Sequence, residues 1–335
     1  MLKIKRIVQC VDTHSCGEPS RVVVGGIPRV IGESMKEKYE YFKKNLDYLR
    51  TSLFQEPRGF SNMCAAIITE PTREGSDFGV IYTSATQYFE MCGDSTFSVT
   101  RVLIETGMVK TIEPITEIAL DTYGGIVKVK AKVEKGIVKG ITYQSVPSFY
   151  LKTESIKIPE IGNLTADVAF GGLWYAFIDA KQIKVDIHPN NMGTFLKIGM
   201  VILGEINKQI KVEHPEDPRL NKIELITFYE KDPYPSVNYK IVNIYGSNST
   251  CRSPAGTQSA ARAAVSYRKG ELKKGENFVI ENGWIGSQHK VKVIKEIEVG
   301  KVKGILPELT ATAYITGMYQ AIIDEEDPYQ NGFLL

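Results

Sequence analysis

Two stretches of the chain carry residues whose types and spacing suit proton chemistry on a small anion. The first opens Cys92-Gly93-Asp94-Ser95 and the second Cys251-Arg-Ser-Pro-Ala255-Gly256-Thr257. A thiol at the start of a helix is drawn toward its thiolate, which is both a base and a nucleophile. Glycine and threonine at such a start leave backbone N–H groups open to an anion such as a substrate carboxylate. Cys92, Asp94 and Cys251 are therefore the candidate reactive side chains. Gly93, Ser95, Gly256 and Thr257 are the candidate binding positions. Cys10 and Cys64 sit in apolar, strand-like runs and read as core. Cys16 lies in a polar stretch and is assigned no role.

The elements that must position these residues look like copies of one another. Residues 92–107 and 255–270 both begin with a small residue and a glycine, run through an apolar helical pattern and end in a glycine. That last glycine is where one is expected just past a helix C-terminus. The copies are separated by close to half of the 335 residues. One helix per half, related by a pseudo-two-fold axis, is the simplest arrangement. Around them, residues 2–10, 20–25, 63–70, 78–84, 222–229 and 238–245 read as strands. So do much of 115–148, 167–179 about a Gly171-Gly172 turn, and the run to about residue 321. One long helix is expected from Ser34 to Phe54, opened by a Ser34/Glu37 capping box, and another over 191–207. Asp12–Ser20 reads as a polar loop with Gly17 and Pro19 as turn formers. Short polar residues over Gly246–Thr250 suit close approach of the backbone to a ligand.

The expected fold class is α+β. It consists of two strand-rich halves, each a curved sheet or barrel around a central helix, with the active site in the cleft between them. The first half covers residues 1–160 and is rejoined by the C-terminal segment 312–335. The second half covers 161–311.

Totals narrow the function. Hydrophobic residues make up 43% and charged residues 24%, with a formal net charge of +2. This is a soluble globular profile, without the basic cluster that a nucleic acid or anionic membrane would demand. No apolar run approaches a membrane span. The N-terminus reads as a strand and not as a signal peptide, so the expected compartment is the cytoplasm and the five cysteines are expected to be reduced. There is no CxxC, no HExxH and no phosphate-binding glycine pattern. The four histidines lack metal-ligand spacing. No cofactor and no metal are expected, and the expected partner is a small molecule.

At this point the chain resembles the proline racemase superfamily, with its diaminopimelate-epimerase-like fold. Asp12-Thr-His-Ser-Cys-Gly-Glu-Pro-Ser-Arg21 and Glu56-Pro-Arg-Gly59 resemble that family's N-terminal signatures. Met91-Cys-Gly93 resembles its first catalytic motif, usually Met-Cys-Gly-His. Arg252-Ser-Pro-Ala-Gly-Thr257 resembles the second, usually Asp-Arg-Ser-Pro-Cys-Gly-Thr. Asp327-Pro328 and Gly332-Phe-Leu-Leu335 resemble its C-terminal end. The resemblance implies cofactor-independent removal of the α-proton from proline or a hydroxyproline. It also implies two thiols flanking the α-carbon in the racemases, and a homodimer by family habit.

The departures direct the reading. Ala255 stands where the second thiol is usual, Asp94 where a histidine is, and Cys251 where an aspartate is. Family members that dehydrate trans-3-hydroxy-L-proline also lack the second thiol, but carry threonine there. Racemisation needs a base on one face and a donor on the other, whereas elimination needs one α-base and an acid for the departing hydroxyl. Three readings stay open. The first is a one-base trans-3-hydroxy-L-proline dehydratase. The second is a proline racemase or 4-hydroxyproline epimerase that uses Cys92 with Cys251. The third is a catalytically silent imino- or amino-acid binding protein.

Overall fold

The computed structural model describes residues 4–231, 236–246 and 248–335. Leu2 and Lys3 of the first expected strand, and Ser247 of the loop before Cys251, lie outside the described residues. The chain forms two compact units, Met1–Tyr143 with Ala311–Leu335, and Gln144–Thr310. The sequence reading put the first boundary near 160. It falls earlier because the strand after residue 148 pairs with the one that follows it, and so joins the second unit.

In the first unit, alternating residues produce β1 (Ile4–Ser15) and β2 (Glu18–Gly25), paired antiparallel. Their turn is Cys16 (φ 50°) and Gly17 (φ 85°), the two positive φ values of a tight primed hairpin. The stretch Asp12–Ser20 is thus the tip of a hairpin and not an open loop. Asp12 lies opposite Arg21 and pairs with it at 2.7 Å. Next come β3 (Cys64–Thr69), β4 (Phe78–Ser84), β5 (Tyr88–Phe89), β6 (Ile115–Thr122), β7 (Gly125–Glu134) and β8 (Ile137–Gln144). β3 is parallel to β2, β4 is antiparallel to β3 and parallel to β6, and β6 through β8 are antiparallel. The last strand, β18 (Ala313–Asp324), returns to pair with β1.

The expected 34–54 helix is two helices, α1 (Met35–Asn45) and α2 (Asp47–Phe54). Its capping and its stripe are as expected. Ser34 Oγ accepts from Glu37 N–H, and Met35, Tyr39, Phe42, Leu46, Leu49 and Leu53 are all buried. The break comes at Leu46 (φ −125°, ψ 12°), whose N–H closes α1 on Phe42 O. Asp47 then opens the new helix. Its carboxylate holds Arg50 (2.7 Å) and the Tyr88 hydroxyl (2.6 Å), fixing a chain direction that a continuous helix would not have.

The second unit repeats this order with β9 (Phe149–Ile158), β10 (Gly162–Phe170), β11 (Trp174–Asp179), β12 (Ile223–Lys231), β13 (Tyr239–Tyr245), β14 (Ser249–Thr250), β15 (Asn277–Asn282), β16 (Gln288–Val299) and β17 (Val302–Ala311). β11 and β12 are parallel, as are β13 and β15, with antiparallel pairs between. Parallel and antiparallel pairs with few helices make both units α+β.

The helices at the middle of each unit are α3 (Gly93–Glu105) and α5 (Gly256–Arg268), both 13 residues long. α4 (Met192–Gln209) packs on the outside of the second unit's strands β12 and β13. Every residue from Gly93 to Ile104 is buried, so α3 is a core helix enclosed on all sides. Ala260, Ala261, Ala263 and Ala264 let strands approach α5 closely. Arg262 ties α5 down. Its guanidinium lies 3.9 Å from the Tyr239 ring centre and 4.4 Å from that of Tyr229, beside Glu271 at 3.6 Å.

Candidate active site

Cys92 is the N-cap of α3, in extended conformation (φ −137°, ψ 115°). The helix's own hydrogen bonds begin with Thr96 N–H donating to Cys92 O at 3.0 Å. The amides of Gly93, Asp94 and Ser95 therefore lie ahead of any acceptor within the helix. Cys64 and Ser95 both bear on the Cys92 thiol. The bond from Cys64 is the largest influence on Cys92 and lowers its pKa. Burial and the Asp94 carboxylate oppose it, Ser95 assists it, and the outcome lies below the ordinary thiol value. Cys64 moves the opposite way. Its bond to Cys92, then burial, hold it well above the ordinary value.

The surroundings of the pair are polar and closed. Asp94 is 6% exposed and Glu18, at the start of β2, is 2% exposed. Ser20 Oγ lies 3.3 Å from Ser95 Oγ. The Thr96 hydroxyl is 2.8 Å from Cys92 O and 2.7 Å from the Tyr82 hydroxyl. Among the described residues no three or more His, Cys, Asp or Glu side chains gather as metal ligands would.

In the second unit the matching N-cap is Ala255, with φ 62° and ψ 129°. This is a backbone conformation that residues with a side chain rarely adopt, costing about 1–3 kcal/mol. Surrounding contacts over-determine it. Ser253 Oγ accepts from Ala255 N–H at 3.0 Å, and Asn243 Nδ2 donates to Pro254 O at 3.1 Å. Asn282 Nδ2 donates to the carbonyls of both Cys251 (3.0 Å) and Ser253 (3.1 Å). The ladder of α5 starts with Ser259 N–H on Ala255 O at 2.9 Å, which leaves the amides of Gly256, Thr257 and Gln258 ahead of it. Thr257 Oγ1 lies 2.6 Å from the Tyr175 hydroxyl. Gly171 sits against this first turn so closely that a Cβ there would come within 2.3 Å of Thr257 O.

The candidate residues thus fall into two sets. Cys92, Gly93, Asp94 and Ser95 are together at the start of α3. Gly256 and Thr257 are at the start of α5, with half-buried Cys251 on the clamped loop before it. One reading of the sequence changes. Cys64 is half-buried and bears on Cys92, whereas Cys10 is core as expected, its thiol pushed up to about 11 by burial. A continuous apolar run marks β3 as buried, but cannot show that its first residue bears on the thiol at the start of α3. Asn243, Asn282 and Tyr175 were not singled out at all, since isolated polar residues in strands leave no pattern.

The other sequence signatures hold the first unit together. Arg58 pairs with Asp327 at 2.7 Å, and the backbones of Glu56 and Phe333 exchange hydrogen bonds of 3.1 and 2.9 Å. No helix among the described residues is long and apolar enough to cross a membrane.

Comparisons with known proteins accord with this geometry. A family model described as proline racemase matches residues 10–334. The proline racemase of Clostridioides difficile is 38% identical over 335 residues, all of both chains. The 4-hydroxyproline 2-epimerase of Streptosporangium roseum is 35% identical, again over the whole of both chains. Among solved structures, a hydroxyproline epimerase from Agrobacterium vitis with bound trans-4-hydroxy-L-proline has a TM-score of 0.90 at 29% identity, covering 100% of this chain and 96% of that one. The chain, with a thiol at the N-cap of its first central helix and near-complete coverage of these relatives, belongs to the proline racemase family.

Proposed function

We propose that the protein removes the α-proton of proline or a hydroxyproline with Cys92 as the base. The observation that carries this is the place of Cys92 as the N-cap of α3, where the amides of Gly93, Asp94 and Ser95 lie ahead of the helix's own hydrogen bonds and its thiol pKa lies below the ordinary value. The amides of Gly93 and Asp94, with Gly256 and Thr257, are the donors we assign to the substrate carboxylate, and Ser95 orients the sulfur. Such donors strengthen as the α-carbon becomes planar and charge moves onto the carboxylate. Asp94 pairs with the substrate's ammonium group, as a buried carboxylate can.

Ala255 favours a reaction with one base. In the elimination, Cys92 takes the α-proton, the C–H electron pair forms a double bond to C3, and the C3 hydroxyl leaves as water with a proton given back by the Cys92 thiol, which returns to the thiolate. The enamine that remains becomes a cyclic imine. This makes trans-3-hydroxy-L-proline the substrate that fits the site's thiol content best. The second reading is a racemase or 4-hydroxyproline epimerase in which Cys251 supplies the second thiol. It is favoured by the racemase and epimerase relatives of full-length similarity.

Incubation with proline, trans-4-hydroxyproline and trans-3-hydroxyproline in D2O separates these readings. Elimination predicts imine release from the 3-hydroxy compound alone. Racemisation of proline predicts loss of optical rotation, and epimerisation of trans-4-hydroxyproline a changed rotation, each with deuterium at the α-carbon and each abolished in Cys251→Ala. Binding without exchange or turnover of any of them defeats both and leaves an imino-acid binding protein.

A further inference from the structure

The loop that leads through Cys251 into α5 is gripped along its backbone. The carbonyls of Cys251, Arg252, Ser253 and Pro254 follow one another in the chain, and each accepts from a side chain. Loop carbonyls are ordinarily left to water, so an unbroken run of side-chain donors is unusual. All but the last come from the turn at 282–287 that joins β15 to β16. Asn282 Nδ2 donates to Cys251 O at 3.0 Å and to Ser253 O at 3.1 Å, and Ser287 Oγ donates to Arg252 O at 3.0 Å. Trp284, between them, donates from Nε1 to Thr250 Oγ1 at 2.8 Å.

A grip must be stiffer than what it holds, and this turn is tied down several times over. Asn282 N–H donates to Ser287 O at 2.8 Å and Gly286 N–H to Asn282 O at 2.9 Å, which closes the turn on itself. Asn282 is fully buried and its Oδ1 accepts from Trp284 N–H at 2.9 Å, so both ends of the amide are engaged and its NH2 group is committed to the loop. Gly283 packs so closely that a Cβ there would lie 2.0 Å from Ile187 Cγ2. The Trp284 ring stands 5.8 Å from that of Phe195 in α4. Just beyond the gripped carbonyls, Ala255 keeps its strained φ of 62°. Released carbonyls would let that residue relax, and the first amides of α5 would turn with it.

We propose that the β15–β16 turn is a positioning element for the candidate site: Asn282, with Ser287, holds the loop carbonyls and so fixes where Cys251 and the amides of Gly256 and Thr257 are presented to the substrate. Both residues act through the loop. Misplacing such groups by about 1 Å is enough to cost on the order of a hundredfold in rate. This rests on those amides being the donors to the substrate carboxylate, as assigned above.

The test uses the full chain as wild type, Asn282→Asp, Asn282→Ser and Ser287→Ala. Aspartate keeps the shape and the acceptor for Trp284 but sets an oxygen against two carbonyls. Ile280→Val, a fully buried residue of the same strand, controls for lost stability alone. Two quantities are read. One is the rate at which iodoacetamide alkylates half-buried Cys251, followed by mass spectrometry of its peptide. The other is KM against kcat for whichever proline is turned over. Both Asn282 variants are expected to speed alkylation by about tenfold or more, and to raise KM by about 10- to 100-fold with a smaller fall in kcat, from the loss of two hydrogen bonds. Ile280→Val is expected to lower the melting temperature and leave both quantities unchanged. An unchanged alkylation rate or KM in a folded Asn282 variant overturns the proposal. So does an equal change in Ile280→Val, since the effect would then be stability alone. If circular dichroism shows that neither Asn282 variant folds, Ser287→Ala decides. Its alkylation is expected to be about 3- to 10-fold faster, the size of one neutral hydrogen bond, and an unchanged rate overturns the proposal. Alkylation needs no substrate. Faster alkylation without turnover of any proline would sustain the grip on the loop and reject the proposed function. Turnover with alkylation unchanged in the folded variants would do the reverse.

Discussion

The two units are built to one plan and differ most where their central helices begin. In each, a parallel strand pair precedes an antiparallel one, a two-residue strand leads to a 13-residue helix, and the next strand joins the sheet in parallel. α3 opens at a relaxed, extended Cys92 surrounded by a thiol, hydroxyls and carboxylates. α5 opens at a strained Ala255 whose flanking carbonyls are clamped by Asn243 and Asn282. One copy has kept groups that can carry a proton, and the other has kept donors and rigidity. A repeat constrains the backbone strongly, because a shifted strand would misplace its whole buried face. It constrains a single N-cap side chain hardly at all, and there the units have diverged.

The largest effect is expected from removing the side chain that distinguishes the first unit. Cys92→Ser should lower kcat by about a thousandfold or more, with far-ultraviolet circular dichroism unchanged, and undiminished turnover would place the chemistry elsewhere. The same residue sets the pH profile. Because its pKa is lowered by the Cys64 bond, the rate in the wild type should rise with pH through a value below that of an ordinary thiol and then level off. A rising limb centred at or above the ordinary thiol value would contradict a preformed thiolate.

Making the units alike is the next test. Ala255→Cys returns a thiol to the start of α5, and a donor placed there should raise the ratio of racemisation to α-proton exchange by about a hundredfold. An unchanged ratio would mean that position 255 has no access to the α-carbon. Asp94→Asn removes one charge and little volume. Its expected signature is a KM raised by about 10- to 100-fold with a smaller change in kcat, from the loss of one charged hydrogen bond. A purely kcat effect would take Asp94 out of substrate binding. The smallest effect is on stability. Gly171→Ala pushes a methyl group into Thr257 O and should destabilise the second unit by about 1–3 kcal/mol, seen as a melting temperature lower by several degrees. An unchanged melt would show that α5 has room to move away from the turn.

Much of the architecture is legible without the structure, because it rests on local rules. The Ser34 cap, the buried stripe of α1 and α2, the strands either side of Gly171-Gly172 and the paired helices all follow from period, propensity and punctuation. What failed locally did so for identifiable reasons. The hairpin tip at Cys16 was read as a loop since polar residues with glycine and proline fit either. The break at Leu46 leaves no mark in a stripe that continues through it.

The sequence alone determined the repeat, the two N-caps and the identity of the thiol at the first of them, since each is a matter of residue type and spacing along one chain. Only the tertiary structure decided what each of those groups touches. Cys64 and Cys92 are distant in the chain, and Cys64 is brought toward the start of α3 because it lies opposite Ser20 on β2, whose hydroxyl touches that of Ser95. The strained conformation of Ala255 exists because asparagines from two other strands hold the carbonyls around it. Cys64 bears on Cys92 from an element far from it in sequence, and no one-dimensional pattern encodes which strand end will lie by which helix.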